Sequence, residues 1–484
     1  MKKILPRLLV SALSLSFISA CSIKGGVVAP DVEVADGWQY AALMTSASVE
    51  APSESWWTAF QSDELNDLVR IALANNTDVA AAEARLRQAD AQITVAGSSL
   101  WPAVSISADS ARNGVLHQGQ TSKNYRAGVA ASYELDMWGG QRAQRASAHA
   151  SGDAAIYAWD AARTTVVASV VNSWLEVLAL RQRIRVAQEN VVNAEKVLAI
   201  VEAKYRHGAG SALSLAQQQG QVASQRAGIE PLLQQQRETT AALALLIGQT
   251  VQGFAVTTVD LSEVVDLKVI TDLPSAVLAR RPDVQQAEAQ LRAADANVVV
   301  ARAAMFPNLS VTGALGFDSV RSASLFDGDP TYGLTASLSQ ALFQGGRLKA
   351  QSAVARARFD ELAAGYVGVV LAALNEADLA LARVHALEEQ IRWQSEQLAH
   401  AQRAYDLVET RYNAGGEGLL TVLEVQRSLF SAQDQHLQLR LARLQAQVTL
   451  YRALGAVPEH AISGHPVSER SVSGRSVSGQ DDEA

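Results

Sequence analysis

One cysteine, four methionines and eight scattered histidines are poor material for metal or redox chemistry in 484 residues. The chain has no His-Glu-x-x-His, no Cys-x-x-Cys, no Gly-Lys dipeptide for a phosphate loop and no Gly-x-Ser-x-Gly elbow. These absences argue against an enzyme, and no cofactor and no metal site is expected. A lone cysteine cannot close an internal disulfide. Positive charge is also short. The net charge is −8 and no Lys/Arg run exists, so no nucleic-acid partner is expected. Beyond the N-terminus no apolar run approaches the roughly 20 residues of a membrane-spanning helix. If the chain crosses a membrane, strands must do it.

What the chain has in excess is itself. Asp78-Val79 through Asp90-Ala91 returns as Asp283-Val284 through Asp295-Ala296, an offset of 205 residues. From Asp78 to Ser105, 14 of 28 positions match without a gap. Later landmarks stay in step: Gly139-Gly140 with Gly345-Gly346, Tyr205 with Tyr412, and Ile247-Gly248 with Leu454-Gly455. That period is too long for a solenoid unit. It marks a duplicated helix–hairpin–helix half, and so one body with internal pseudo-symmetry.

The N-terminus reads as an export signal over 1–20. Lys2 and Lys3 precede the short apolar stretch Leu8–Phe17, then Ile18-Ser19-Ala20-Cys21. Cys21 stands where a bacterial lipoprotein signal places its lipidated residue. An extended, lipid-anchored segment is expected over 21–61, a first repeat over 62–248, a linker or equatorial belt over 249–273, a second repeat over 274–455, and a disordered Ser-Val-Ser tail over 456–484.

Each repeat carries two alternating runs. Tyr125, Ala127, Val129, Ala131, Tyr133 and Leu135 share one parity, with Asn124, Arg126, Gly128 and Ser132 on the other. Tyr332, Leu334, Ala336 and Leu338 alternate in the same way with Thr331, Gly333, Thr335 and Ser337. Period two predicts hairpins at about 102–136 and 307–343, each with one apolar face. Tyr125, Val129, Tyr133, Tyr332, Leu334 and Leu338 are the expected membrane-facing residues. A soluble hairpin packed on helices would show the same alternation.

A first helix is expected from Asp63 to about Leu100, ended by Trp101-Pro102. Very long helices follow each hairpin, at about 141–207 and 347–413, on the order of 100 Å each. Leu180, Ile184, Ala187, Val191, Ala194, Leu198, Val201 and Tyr205 step by four and three, and the second copy repeats the phase with Gln394 as its one polar member. Such a seam means coiled-coil packing. Glycines at 208, 210, 415 and 416 close these helices, and return helices run over 212–247 and 419–454. Pro231 is expected to kink or interrupt the first return helix.

Four strands cannot close a barrel, and open sheet edges do not survive in hydrocarbon. The chain therefore needs copies of itself: two give eight strands, three give twelve. The motifs Ser132-Tyr133-Glu134-Leu135-Asp136-Met137-Trp138-Gly139, Arg280-Arg281-Pro282-Asp283-Val284, Phe343-Gln344-Gly345-Gly346-Arg347 and Arg411-Tyr412-Asn413-Ala414-Gly415 closely resemble those of the TolC-like outer-membrane efflux lipoproteins of the OprM type. The resemblance covers roughly residues 22–456. It implies a mostly α fold with a membrane β-barrel: a homotrimer with a twelve-stranded barrel above a twelve-helix periplasmic tunnel. It implies passive conduction of small molecules out of a Gram-negative cell, with a periplasmic adaptor (membrane fusion) protein, an inner-membrane RND-type pump and outer-membrane lipid as partners. Leu420 and Glu424 match the family's apolar and acidic gate rings, where the acid is often aspartate, and Thr421 stands where some members place another acid. The tips at Gly208, Gly210, Gly415 and Gly416 match its adaptor-docking ends. A type I protein-secretion duct and a non-conducting scaffold lipoprotein are the alternative readings.

Overall fold

The computed structural model describes residues 30, 32–40, 48–49, 51–114, 121–259 and 261–458. The signal segment, Cys21 and the Ser-Val-Ser repeats lie outside the described residues. The duplication is realised element by element. The first half contains α1 (Asp63–Asn75), α2 (Thr77–Ser98), β1 (Ala103–Gly114), β2 (Thr121–Leu135), α3 (Gly140–Arg206) and α4 (Ala212–Leu246). The second contains α5 (Pro274–Arg280), α6 (Pro282–Ala303), β3 (Asn308–Ser319), β4 (Thr331–Ser339), α7 (Arg347–Asn413) and α8 (Leu419–Ala453). Both α3 and α7 have 67 residues, and both α4 and α8 have 35. At 1.5 Å per residue the long pair spans about 100 Å. No described helix is long and apolar enough to cross a membrane.

The helices form two successive walls. On the sheet side, the order of neighbours is α2-α3-α6-α7; on the far side it is α4-α3-α8-α7. The long helices α3 and α7 run through both. Their seam is largely as the 4-3 spacing predicts, with Leu180, Ile184, Val191, Ala194 and Val201 buried, as are Leu387, Tyr405, Val408 and Tyr412. Gln394 keeps its place in that seam because its Nε2 donates to the Ala432 carbonyl at 3.2 Å. Tyr205 departs from it: 45% of it is exposed, while its counterpart Tyr412 is covered.

Three expectations need correction. The first helix does not run from 63 to 100; it breaks at Asn76, which is extended (φ −65°, ψ 132°) and caps α2 by accepting from the Asp78 and Val79 amides. The second half breaks at the matching Arg281, extended because Pro282 follows it. Each break residue then reaches the end of its own half's return helix. Asn76 Nδ2 donates to the Leu246 carbonyl at 2.8 Å, and Arg281 Nη1 to the Ala453 carbonyl at 2.9 Å. Next, α4 continues without interruption through Pro231. Pro231 is exposed there, so water can satisfy the carbonyl it frees. Finally, the body extends to 458, because Ala456 is buried and the Pro458 carbonyl accepts from Arg163 at 3.2 Å.

The largest core lies where the two walls meet. Trp56, Trp57, Phe60, Leu65, Trp174 and Tyr451 belong to it. The N-terminal segment and the inter-repeat linker wrap it as a belt. Ser48–Val49 pairs in parallel with Ile270–Thr271, and the Trp38 indole donates to the Asp272 carbonyl. Glu64 ties the linker to this core. Its carboxylate accepts from the amides and hydroxyls of Thr257 and Thr258 and from the Trp174 indole. Burial alone would raise its pKa, but these bonds outweigh burial and hold it at about 2, against 4.5 in the open chain. A depressed carboxyl stabilises the fold above its unfolded pKa. Glu64→Gln should therefore cost about 2 kcal/mol at neutral pH, a figure reduced for partial exposure. In paired acid melts, the wild-type advantage should fade as pH drops from 4.5 towards about 2. A pH-independent difference would contradict this assignment.

The four long strands form one antiparallel sheet in the order β1-β2-β3-β4. Opposite residues of an antiparallel pair share a face. Val129 stands opposite Leu315, and Leu315 opposite Tyr332; Tyr133 opposes Val311, and Leu309 opposes Leu338. Tyr125, Val129, Tyr133, Tyr332, Leu334 and Leu338 therefore lie on one apolar face, as the parity predicts. The other face carries Ser107, Arg126, Gly128, Gly316, Asp318 and Gly333, and a groove of about 330 Å³ lies against it. Arg126 Nε donates to Asp318 Oδ1 across it at 2.7 Å. The outer edges of β1 and β4 have no strand partner among the described residues.

Candidate functional site

The end of the body farthest from the sheet is built by two helical hairpins. Each long helix stops in the same six-residue device. At the end of α3 the Gly208 amide donates to the Tyr205 carbonyl and the Ala209 amide to the Lys204 carbonyl. At the end of α7 the Gly415 amide donates to Tyr412 and the Gly416 amide to Arg411. This pairing requires a left-handed residue, and Gly208 (φ 75°) and Gly415 (φ 78°) supply it. A Cβ at either position would meet nothing within 4 Å, so both tips point into open space. Gly210 differs, because a Cβ there would come within 3.0 Å of the Tyr205 amide nitrogen. Gly416 is exposed and unconstrained by close backbone.

The two hairpins share one small apolar cluster just behind the tips. Val197, Val201, Val408, Tyr412, Leu419, Val422 and Leu423 form it. Lys204 fastens it from the α3 side. Its Nζ donates to the Tyr412 carbonyl at 3.2 Å and sits 3.8 Å from the Tyr412 ring centroid.

Leu420 and Glu424 lie outside this cluster. Their neighbours Leu419, Val422, Leu423 and Gln426 face inward, whereas Leu420 is 59% exposed and Glu424 is exposed one turn further on. The pair therefore occupies one outward face of α8. This geometry weighs against simple seam packing for Leu420. Thr421 bonds locally instead, its hydroxyl donating to Glu417 at 3.1 Å. The α4 counterpart of Leu420, Leu213, is also exposed, at 68%. Sequence reasoning passed over Leu213, although the repeat offset points to it. Lys204 was missed for a different reason: its contact joins two helices 208 residues apart.

The sequence motifs take structural roles around this frame. Asp136 caps the start of α3, accepting from the Gln141 and Arg142 amides at 3.1 and 3.0 Å. The Trp138 indole donates to the Pro307 carbonyl at 2.7 Å and stacks on Phe306, joining the two hairpins at the sheet base. Arg281 sits in a four-member charge network. It donates to Asp283 at 2.8 and 3.0 Å and to Glu376 at 2.7 Å, and Arg452 donates to the other Glu376 oxygen at 2.6 Å.

The outer membrane efflux protein family model matches residues 68–249 and 273–456, one match for each structural half. The pyoverdine export outer membrane protein OpmQ of Pseudomonas aeruginosa is 41% identical over 463 residues, spanning 92% of this chain and 97% of that protein. The antibiotic efflux pump outer membrane protein ArpC of Pseudomonas putida is 30% identical over 459 residues, spanning 93% and 95%. Among solved structures, the outer-membrane channel OprN superposes with a TM-score of 0.83 at 28% identity, covering 90% of this chain and 99% of that one. The open state of the Neisseria gonorrhoeae MtrE channel gives 0.83 at 28% identity, covering 91% and 99%.

Proposed function

Since the chain belongs to the outer membrane efflux protein family, we propose that it is the exit duct of a tripartite pump, conducting small molecules passively from the periplasm to the outside. The observation that carries this reading is a sheet apolar on one face and polar on the other, with no strand partner at either edge among the described residues, mounted on helices too long for a globular core. Three copies supply twelve strands and twelve helices in each wall, so that every strand edge is paired and the polar faces enclose one path. The tyrosine-bearing face meets lipid, with Tyr125, Val129, Tyr133, Tyr332, Leu334 and Leu338 in contact with it. Cys21 is the acylated anchor on this reading; a lipid-modified N-terminal peptide in the mass spectrum is its signature.

The sequence has no Gly-Lys phosphate-loop dipeptide, and on this reading an inner-membrane pump of the RND type drives transport while a periplasmic adaptor bridges to the tips. The two relatives named for pyoverdine export and for antibiotic efflux favour small solutes over secreted proteins. In a strain lacking its own duct, co-expression with cognate adaptor and pump should restore energy-dependent dye efflux. Unchanged dye retention despite outer-membrane trimers would count against the proposal.

The open space beyond Gly208 and Gly415 is the proposed adaptor contact. Tryptophan at both positions should abolish efflux while leaving trimers intact. Alanine at both carries the same left-handed backbone strain, about 1–2 kcal/mol per site, without the bulk, and should retain efflux. Equal loss in both variants, with loss of trimers, would reduce these glycines to helix stops.

A further inference from the structure

The four-helix wall nearest the sheet encloses an open groove of about 780 Å³ that the gate and the barrel do not use. Residues from α2, α3, α6 and α7 all line it, so it lies on the concave side of the curved row. Its polar lining is Asp78, Arg85, Gln286, Gln290, Asn297 and Arg358; the rest is alanine, Ser151 and Leu362. Five of those six polar side chains carry N–H donors and only one is acidic. Of the wall's other acids, Glu361 reaches the edge of the groove through its pair with Arg358, and several others face away. Glu83 and Asp90 stand on the opposite side of α2 from Arg85. Asp153 pairs with Arg292 across α3 and α6, on the side that also carries Glu288 and Tyr157.

Four of these five donors are unspent. Among the described residues Arg85 has no ion pair, and no hydrogen bond engages the side chains of Gln286, Gln290 or Asn297. Arg358 pairs with Glu361, one turn further along the free edge of α7, which occupies one Nη and leaves the other guanidinium N–H groups for the groove. The donors also share a level. Arg85 lies thirteen residues before the end of α2, Gln290 thirteen before the end of α6, and Arg358 eleven after the start of α7. At 1.5 Å per residue all three sit about 16–20 Å from the sheet end.

We propose that this level is an anion-binding band of the tunnel wall, which takes the carboxylate groups of passing solutes. It rests on the duct reading, because three copies are needed to close the band into a ring of guanidinium and amide donors. Guanidinium groups bind carboxylates through paired N–H bonds, and the alanines leave room for the solute body. The amides of Gln286, Gln290 and Asn297, spread over about three turns of α6, add sequential, exchangeable bonds, so the solute is held without being trapped.

The test is block of ionic current by citrate, added from the barrel side to trimers in planar bilayers and opened by Leu420→Ala with Glu424→Ala. In that background citrate should block the current. The further changes Arg85→Gln and Arg358→Gln should raise the half-blocking concentration about tenfold or more, the scale of lost charge-assisted bonds. Arg85→Lys with Arg358→Lys should preserve the block, and sucrose should affect all variants alike. Both arginines are exposed in the groove, so gel-resistant trimers are expected throughout. Equal citrate block with and without the arginines would overturn the band while leaving the duct in place. No current from any variant would overturn the duct, and the band with it.

Discussion

Cells carrying Leu420→Ala with Glu424→Ala should become sensitive to vancomycin, which an intact outer membrane keeps out. Both residues leave the seam of their own hairpin and point away from its apolar cluster. In the proposed threefold assembly, Leu420 would close a dry collar and Glu424 would form a carboxylate ring one turn away from it. A collar of this kind blocks by dewetting, so its removal should raise single-channel conductance. The single variants separate the roles. Leu420→Ala should carry most of the conductance change, and Glu424→Gln should mainly reduce the preference for cations. Lys204→Ala should add to the opening, because it releases the α3 tip from the Tyr412 carbonyl and ring. Unchanged conductance and unchanged sensitivity at normal trimer levels would remove the gate from these residues.

Arg281→Ala should cost about 3 kcal/mol or more, the range for stranding the partners of a buried ion pair. The Arg281 side chain is 9% exposed. Burial works against its charge, but Asp283 and Glu376 more than compensate and hold the guanidinium protonated. Burial would also raise Asp283, and the Arg281 bonds lower it instead. Alanine leaves both carboxylates short of a partner and the Ala453 carbonyl uncapped, at the junction where α5 turns into α6 and α8 ends. The corresponding site in the first half is neutral. Asn76→Ala loses a helix cap and one bond to Leu246, worth about 1–2 kcal/mol. Heating intact trimers and following their dissociation on gels should rank Arg281→Ala well below Asn76→Ala. The opposite order would mean that the charge network contributes little.

Much of this body is legible in the sequence because it is written twice. The offset between Asp78 and Asp283 fixes the halves, and the parity of Tyr125 to Leu135 fixes which strand face is apolar. The missed break at Asn76 shows the limit of periodicity. The apolar spacing runs through it, and only the cap Asn76-Thr77-Asp78, with Pro282 in the second copy, marks the turn. At Pro231 the helix continues uninterrupted, because the carbonyl that the proline frees meets water. Leu420 and Glu424 are placed by family resemblance, and their outward orientation is a property of the fold. The Lys204–Tyr412 contact and the Arg85–Arg358 level depend on which helices are neighbours and how the wall curves. No local pattern encodes either.

The mass of the protein extracted from isolated outer membranes, corrected for bound detergent, tests the central claim most directly. Three chains per particle would supply twelve strands, pair the open edges of β1 and β4, and bring three copies of Leu420 to one axis. A particle of one chain, or recovery of the protein only from the soluble fraction, would leave the four-stranded sheet unable to close and would contradict the duct.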